Sequence, residues 1–304
     1  MKFLSFAIDN QPRLGLLTDE DQVVDLTMML RSTPDHGLIA IPERVSDLIE
    51  AGDEAILRLQ RLISEKGSAR QSLQRLDEVN VLPPLRPKKN IYCVGRNYRE
   101  HIIEGNIANG RPANAFPEAI EFFSKPPTAV VGHRANVRRH AELTNSLDYE
   151  VELAIVIGKR GTDIKRADAL NYVFGYTIVN DITARDLQKR HGQWLKGKSL
   201  DTTCPMGPVV VHHSAVGDPN NLNVGLKVNG EERQNENTSS MIFSIEAIIE
   251  QLSAGLTLEP GDVIATGTPK GVGFAMSPPG CLEIGDVVSA WVERIGTLTN
   301  TIVD

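Results

Sequence analysis

Glu150 and Glu152 stand two residues apart in Asp148-Tyr149-Glu150-Val151-Glu152-Leu153-Ala154-Ile155-Val156-Ile157-Gly158. In a strand, side chains alternate between faces, so the two carboxylates point the same way, about 7 Å apart along the backbone. Two long acidic side chains at that separation can converge on one ion. Val151, Leu153, Ile155 and Ile157 take the opposite face. Ala154 and Val156 continue the carboxylate face and make it apolar, where paired anions are costly unless a cation neutralises them. Read alone, the segment fits an exposed strand with two ordinary glutamates equally well. Asp181 shifts the balance, because it ends a second buried-looking strand, Tyr176-Thr177-Ile178-Val179-Asn180-Asp181, ahead of a polar helix. Three carboxylates with no Cys or His nearby suit a hard, oxygen-preferring ion: Mg²⁺, Mn²⁺ or Ca²⁺. Mg²⁺ is the first choice, since it keeps positions open for water or substrate.

His101 and Glu104 are three apart just after an expected strand. On a helical turn they are neighbours, so the carboxylate can orient the imidazole and stabilise its protonated form. In isolation such a pair is more often a surface contact. Arg185 and Gln188 repeat the three-residue spacing on the helix after Asp181, where a planar guanidinium offers a fork of donors to a carboxylate. Gly192 to Ser199 matches the phosphate-loop pattern G-x-x-x-x-G-K-[ST]. That pattern has meaning only between a strand and a helix. Here a helix precedes it and Pro205 keeps a regular helix from starting after it, so the match is read as accidental. His212 and His213 follow the apolar run Val209 to Val211. As adjacent strand residues they should face opposite sides and not share a metal.

These residues need strands and loops to hold them. Lys2 to Ile8, Leu14 to Leu17 and Val23 to Leu26 read as short strands. A helix is predicted from Val45 to Ile63, with Gly67 ending the pattern. The stiff segment Leu82-Pro83-Pro84-Leu85-Arg86-Pro87 marks a boundary between a small N-terminal α/β domain, 1–85, and a catalytic domain, 86–304. Beyond it, Asn90 to Gly95, Tyr149 to Ile157, Val173 to Asn180, Asp262 to Thr266 and Asp286 to Val292 read as strands. Thr183 to His191 and Met241 to Leu252 read as helices, and Asn229-Gly230 as a hairpin turn. Strands and helices do not alternate regularly, so a strand-rich α+β fold is expected rather than a doubly wound parallel sheet.

Composition narrows the function classes. With 41% hydrophobic and 23% charged residues the chain has ample core material, and its three cysteines, Cys93, Cys204 and Cys281, do not form a disulfide framework or a thiolate zinc site. A net charge of −7 opposes nucleic-acid binding. Arg134, Arg138 and Arg139, the best local basic patch, read as a solvated stretch. The opening MKFLSFAIDNQPRLG lacks the apolar core of a signal peptide, and no apolar run is long enough for a membrane span. A cytoplasmic protein without membrane or nucleic-acid partners is expected.

Five motifs occur in order: Gly95-Arg96-Asn97-Tyr98-Arg99-Glu100-His101, Asp148 to Leu153, Asn180-Asp181-Ile182-Thr183-Ala184-Arg185-Asp186-Leu187-Gln188, Gly197-Lys198-Ser199-Leu200-Asp201-Thr202, and Thr266-Gly267-Thr268-Pro269-Lys270-Gly271-Val272-Gly273. Together they resemble the fumarylacetoacetate hydrolase family over roughly residues 90 to 295. The resemblance implies a mixed β-sandwich roll, a homodimer, and a divalent metal on Glu150, Glu152 and Asp181. It also implies a water-activating dyad, His101 with Glu104, from a segment that orders over the ligand. Arg185, Gln188, Thr268 and Lys125 become substrate contacts, and Lys198 a fixed positive charge beside a developing enolate. Some hydrolytic relatives carry an extra metal-binding aspartate where this chain has Val94, so a water is expected to take that place. Gly105 to Pro117, with two Gly and two Pro, reads as a mobile lid. The implied substrate is a 2-oxo acid. Hydrolysis of a C–C bond in an acylpyruvate-like 2,4-dioxo acid is the leading expectation. Decarboxylation or tautomerisation of a 2-oxo diacid such as oxaloacetate is the alternative at the same site, and a non-catalytic ligand-binding protein a remote third.

Overall fold

The structure is a computed structural model that describes residues 1–33, 37, 38, 40–66 and 74–304. A twelve-stranded sheet runs in the order Gln74–Arg75, Gln22–Asp25, Gln11–Leu17, Lys2–Ile8, Cys204–His212, Val173–Asn180, Val151–Ile157, Val263–Ala265, Ile91–Gly95, Glu121–Lys125, with two short strands off this path. Most neighbours are antiparallel, while Val263–Ala265 and Ile91–Gly95 run parallel. Strand Lys2–Ile8 pairs with Cys204–His212, so the N-terminal strands extend the same sheet that carries the carboxylates. A second sheet of five strands contains the hairpin Asn223–Val228 and Glu231–Asn237, then Val287–Val292, Gly296–Val303 and Asn136–Arg138. Asn229 and Gly230 turn that hairpin with φ of 51° and 83°, the paired positive values that an Asn-Gly turn supplies.

Alternation along Val151–Ile157 decides what each face meets. Val151, Leu153, Ile155 and Ile157 join one core with Val224, Leu226, Val288 and Leu298 of the second sheet. Ala154 and Val156 join the other, with Leu48, Ile49, Ile56 and Leu59. Those leucines and isoleucines belong to helix α2 (Val45–Lys66), which shares this core with Leu26, Met29 and Leu30 of α1 (Leu26–Arg31) and is interrupted at Gly52, φ 77°. Both faces of the carboxylate strand are therefore covered, and the fold is strand-rich and mixed as the sequence implies. The predicted stop at Gly67 lies outside the described residues.

Four expectations need correction. The helix foreseen from Thr183 starts at Arg185, because Thr183–Ala184 pairs with Leu147–Asp148. The helix foreseen from Met241 starts at Ile245, capped by the Ser244 side chain, which accepts from Ala247 N–H. His212 and His213 do not diverge: the strand ends at His212 and the chain turns into a short 3₁₀ segment, bringing the rings to 4.3 Å. Arg139 is not solvated. It is buried and donates to the Thr144 carbonyl. The described residues include no helix long and apolar enough to cross a membrane.

Candidate active site

Register brings the three carboxylates together. Val151 pairs with Asn180, so the start of the carboxylate strand meets the end of its antiparallel neighbour. Glu150 precedes the first strand and Asp181 follows the second, and the Asp181 N–H donates to the Glu150 carbonyl at 2.8 Å. Asn180 Oδ1 accepts the Glu150 N–H at 3.0 Å. On the other side, Ala154 pairs with Ala265, which places Thr266 and Gly267 level with Glu152. Gly267, at φ 98°, aims its N–H at Glu152 Oε2, 2.8 Å away. The parallel strand Ile91–Gly95 ends at the same edge and leads into α3 (Arg99–Ala108), which carries His101 and Glu104. His101 Nδ1 is 2.9 Å from Glu104 Oε1.

One carboxylate oxygen from each of Glu150, Glu152 and Asp181 can be chosen so that all three lie within 4.8 Å of one another, and all three residues are buried. Lys198 Nζ bridges Glu150 Oε2 at 2.6 Å and Asp181 Oδ2 at 2.7 Å. Arg185 Nη2 lies 2.6 Å from Glu150 Oε1, and Lys125 Nζ lies 2.7 Å from Asp181 Oδ1. Among the described residues no ammonium or guanidinium stands within ion-pair distance of Glu152. Burial, then the charges of Asp181 and Glu150, hold the Glu152 carboxyl well above the usual range. Burial acts the same way on Glu150, but Arg185 and Lys198 outweigh it and the net shift is downward. Counting fully buried Asp148 with the three, four carboxylates face the three cations Arg185, Lys198 and Lys125, leaving one negative charge. A divalent cation fits this set. The donors are all oxygen, Glu152 lacks a counter-charge, and each carboxylate oxygen has lone pairs beyond those its ion pair uses. With such an ion the cluster becomes net positive, which favours an anionic ligand.

A cavity of about 530 Å³ opens onto this cluster. His101, Glu150, Glu152, Arg185, Gln188, Lys198 and Thr268 all line it. Lys125 does not. It is fully enclosed, donates to the Ile182 carbonyl at 3.0 Å and to the Lys198 carbonyl, and braces Asp181 from behind. Replacing Lys125 with Met should therefore cost about 3–5 kcal/mol of folding stability in metal-free protein, because it leaves part of a buried anion uncompensated. Urea unfolding measures this, and an unchanged midpoint would show that Asp181 is neutralised without it. Arg185 spends its guanidinium on Asp148 and Glu150 and also donates to Gln188 Oε1 at 3.3 Å, so a ligand would meet an already paired side chain. Thr268 Oγ1 accepts from Gln234 Nε2 at 2.9 Å.

Sequence reasoning missed Asp148, Gln234 and Trp194. Gln234 also accepts the Val151 N–H, tying the second sheet to the carboxylate strand. Trp194 lies against Gly95, where a Cβ would fall 2.3 Å from its ring, so only glycine lets the indole line the cavity. Of the segment read as a lid, only 105–108 are helical, as the last turn of α3. Asn106 Nδ2 then holds the Ala113 and Ala115 carbonyls, and Arg96 also binds the Ala115 carbonyl. The phosphate-loop match, 192–199, follows helix α4 (Arg185–Arg190) and contains the four-residue α5 (Leu195–Lys198), so it does not come after a strand.

Residues 90–303 match the family described as fumarylacetoacetate (FAA) hydrolase, C-terminal, and the chain belongs to that family. It is 47% identical to the oxaloacetate tautomerase YisK of Bacillus subtilis, over 99% of this chain and 100% of that one. Among solved structures, a fumarylacetoacetate hydrolase from psychrophilic Exiguobacterium antarcticum superposes with a TM-score of 0.83 at 40% identity, covering 100% of this chain and 99% of the other. A 2-hydroxyhepta-2,4-diene-1,7-dioate isomerase from Mycobacterium marinum gives 0.71 at 31% identity, covering 100% and 98%.

Proposed function

We propose that this chain is a divalent-metal-dependent tautomerase of a 2-oxo diacid of the oxaloacetate type. The observation that carries the reading is one cavity that combines an oriented imidazole with a buried carboxylate cluster flanked by fixed cations. Support for this reaction over others comes from the full-length similarity to an oxaloacetate tautomerase. Glu150, Glu152 and Asp181 would hold a Mg²⁺ or Mn²⁺ ion, which would supply Lewis acidity toward negative charge on a 2-oxo oxygen. The protein's own groups do the rest. With Nδ1–H directed to Glu104, His101 Nε2 keeps a lone pair toward the cavity. That lone pair takes the proton from the carbon beside the oxo group, the C–H electron pair becomes the C–C double bond, and the oxo oxygen takes the charge and then a proton. Lys198 places fixed positive charge beside the cluster where enolate charge develops.

A second reading keeps the residues and changes the electrophile. His101 would deprotonate water for attack on an acylpyruvate, in line with the similarity to a hydrolase structure. Three product assays on one Mn²⁺-loaded preparation separate the reactions. Faster enol–keto interconversion of oxaloacetate than the metal alone gives, with solvent deuterium entering the carbon beside the oxo group, is the expected result. Acylpyruvate split into two acids, with oxaloacetate untouched, would replace the tautomerase by the hydrolase. Stoichiometric CO₂ release would make it a decarboxylase.

A further inference from the structure

The acid–base pair and the carboxylate cluster are joined by a single turn, residues 271–275. Its Gly271 N–H donates to both Glu104 oxygens, at 3.1 and 2.9 Å. Two residues on, the Gly273 N–H donates to Asp148 Oδ1 at 2.7 Å and the Phe274 N–H to Asp148 Oδ2 at 3.1 Å. Asp148 also accepts from the Tyr149 N–H at 2.9 Å and from Arg185 Nε at 2.9 Å. Arg185 continues to Glu150. The Phe274 ring lies over the Arg185 guanidinium, 4.5 Å away, and a Cβ on Gly105, the neighbour of Glu104, would stand 3.7 Å from it. The turn therefore touches α3 twice and the metal-binding side twice.

Asp148 is fully enclosed and does not line the cavity. An ionised carboxylate there is tolerable only because four donors satisfy it. Asparagine, with a single acceptor oxygen, cannot serve all four. We propose that Asp148 is a positioning residue that holds the His101–Glu104 pair in register with the carboxylate cluster. It acts through the 271–275 turn on one side and Arg185 on the other. This rests on the reading of His101 and Glu104 as the proton-transferring pair. The Tyr149 hydroxyl gives the turn a second anchor on the Gly271 carbonyl, 3.0 Å away, so loss of the Asp148 charge loosens the turn without releasing it.

In Asp148→Asn, kcat should fall roughly 10- to 100-fold, as when groups supporting a site are removed. KM should change little, and Mn²⁺ affinity, followed by electron paramagnetic resonance, should fall by less than kcat does, since Asp148 contributes charge to the cluster but no ligand. Combined with Glu104→Gln, it should cost little more than the worse single change, because the two act on one unit. Losses that multiply, or a collapse of Mn²⁺ affinity, would overturn the proposal. Hydrogen exchange supplies a test independent of turnover and of the folding of Asp148→Asn. In Glu104→Gln, the Gly273 and Phe274 amides should lose protection although their acceptor, Asp148, is untouched. Unchanged protection there would reject the coupling. Because this arm needs no substrate, a wild-type protein without tautomerase activity would sink the functional reading and leave the coupling test standing.

Discussion

A chelator should abolish turnover, and Mg²⁺ or Mn²⁺ should restore it. Glu150→Ala, Glu152→Ala and Asp181→Ala should each lower activity by roughly two orders of magnitude or more, since each removes charge that holds the ion. The three are not equivalent in the metal-free protein. Glu150 and Asp181 are ion-paired to Lys198, so removing either leaves a buried ammonium with one partner fewer and destabilises the fold. Glu152 has no cation of its own and faces two like charges. Glu152→Gln should therefore match or exceed the thermal stability of metal-free wild type, yet gain nothing on adding Mn²⁺. Wild type should gain stability with ion concentration, as ligand linkage requires. Thermal unfolding across a Mn²⁺ titration shows both effects. A Glu152→Gln protein stabilised by Mn²⁺ like wild type, or full turnover in protein shown to be metal-free, would reject the assignment of the cluster.

This asymmetry marks how far the residues could be read from sequence. The alternation of Val151, Leu153, Ile155 and Ile157 against Ala154 and Val156 announced a strand with one packed face, and left open whether the glutamate face was exposed. Within it, the two-residue spacing of the glutamates announced their common direction. Period two is a local property, and local properties were legible. Partner identity was not. Arg185 was visible as a cation on a helix face, but the carboxylates that claim it, Asp148 and Glu150, lie more than thirty residues earlier and on another element. Lys125 was visible only through the family resemblance, and its role depends on the end of strand Glu121–Lys125 reaching Asp181, which no spacing encodes. Asp148 escaped notice because an acidic residue beside two others reads as one more member of the group. Only the return of the chain at Gly273 and Phe274 gives it separate work. The last strand, Gly296–Val303, was missed because Thr297, Thr299 and Thr301 interleave with Leu298, Asn300 and Ile302, so a polar residue falls even on its inward face.

Binding and chemistry should come apart at α3. Neither His101 nor Glu104 belongs to the carboxylate cluster, and the imidazole is held by Glu104, which is held in turn by the Gly271 N–H. His101→Ala and Glu104→Gln should therefore leave Mn²⁺ affinity and the binding of oxalate, an inert 2-oxo acid mimic, nearly intact. Proton transfer should fall by roughly 10² to 10⁴, the usual contribution of a positioned general base. Glutamine keeps the size of Glu104 but offers a neutral acceptor, so it supports the imidazole's geometry better than it supports an imidazolium. Its defect should accordingly be the smaller of the two. Together the substitutions should cost little more than His101→Ala alone. Enolisation, hydrolysis of an acylpyruvate and CO₂ release should be measured on the same preparations. Decarboxylation requires neither an attacking water nor proton removal from carbon, so a residual metal-driven release of CO₂ could persist in both variants. Lost Mn²⁺ binding in Glu104→Gln would show that a ligand had been mistaken for part of a base. Unchanged proton transfer in His101→Ala would leave the pair a surface contact and require another base among the groups lining the cavity.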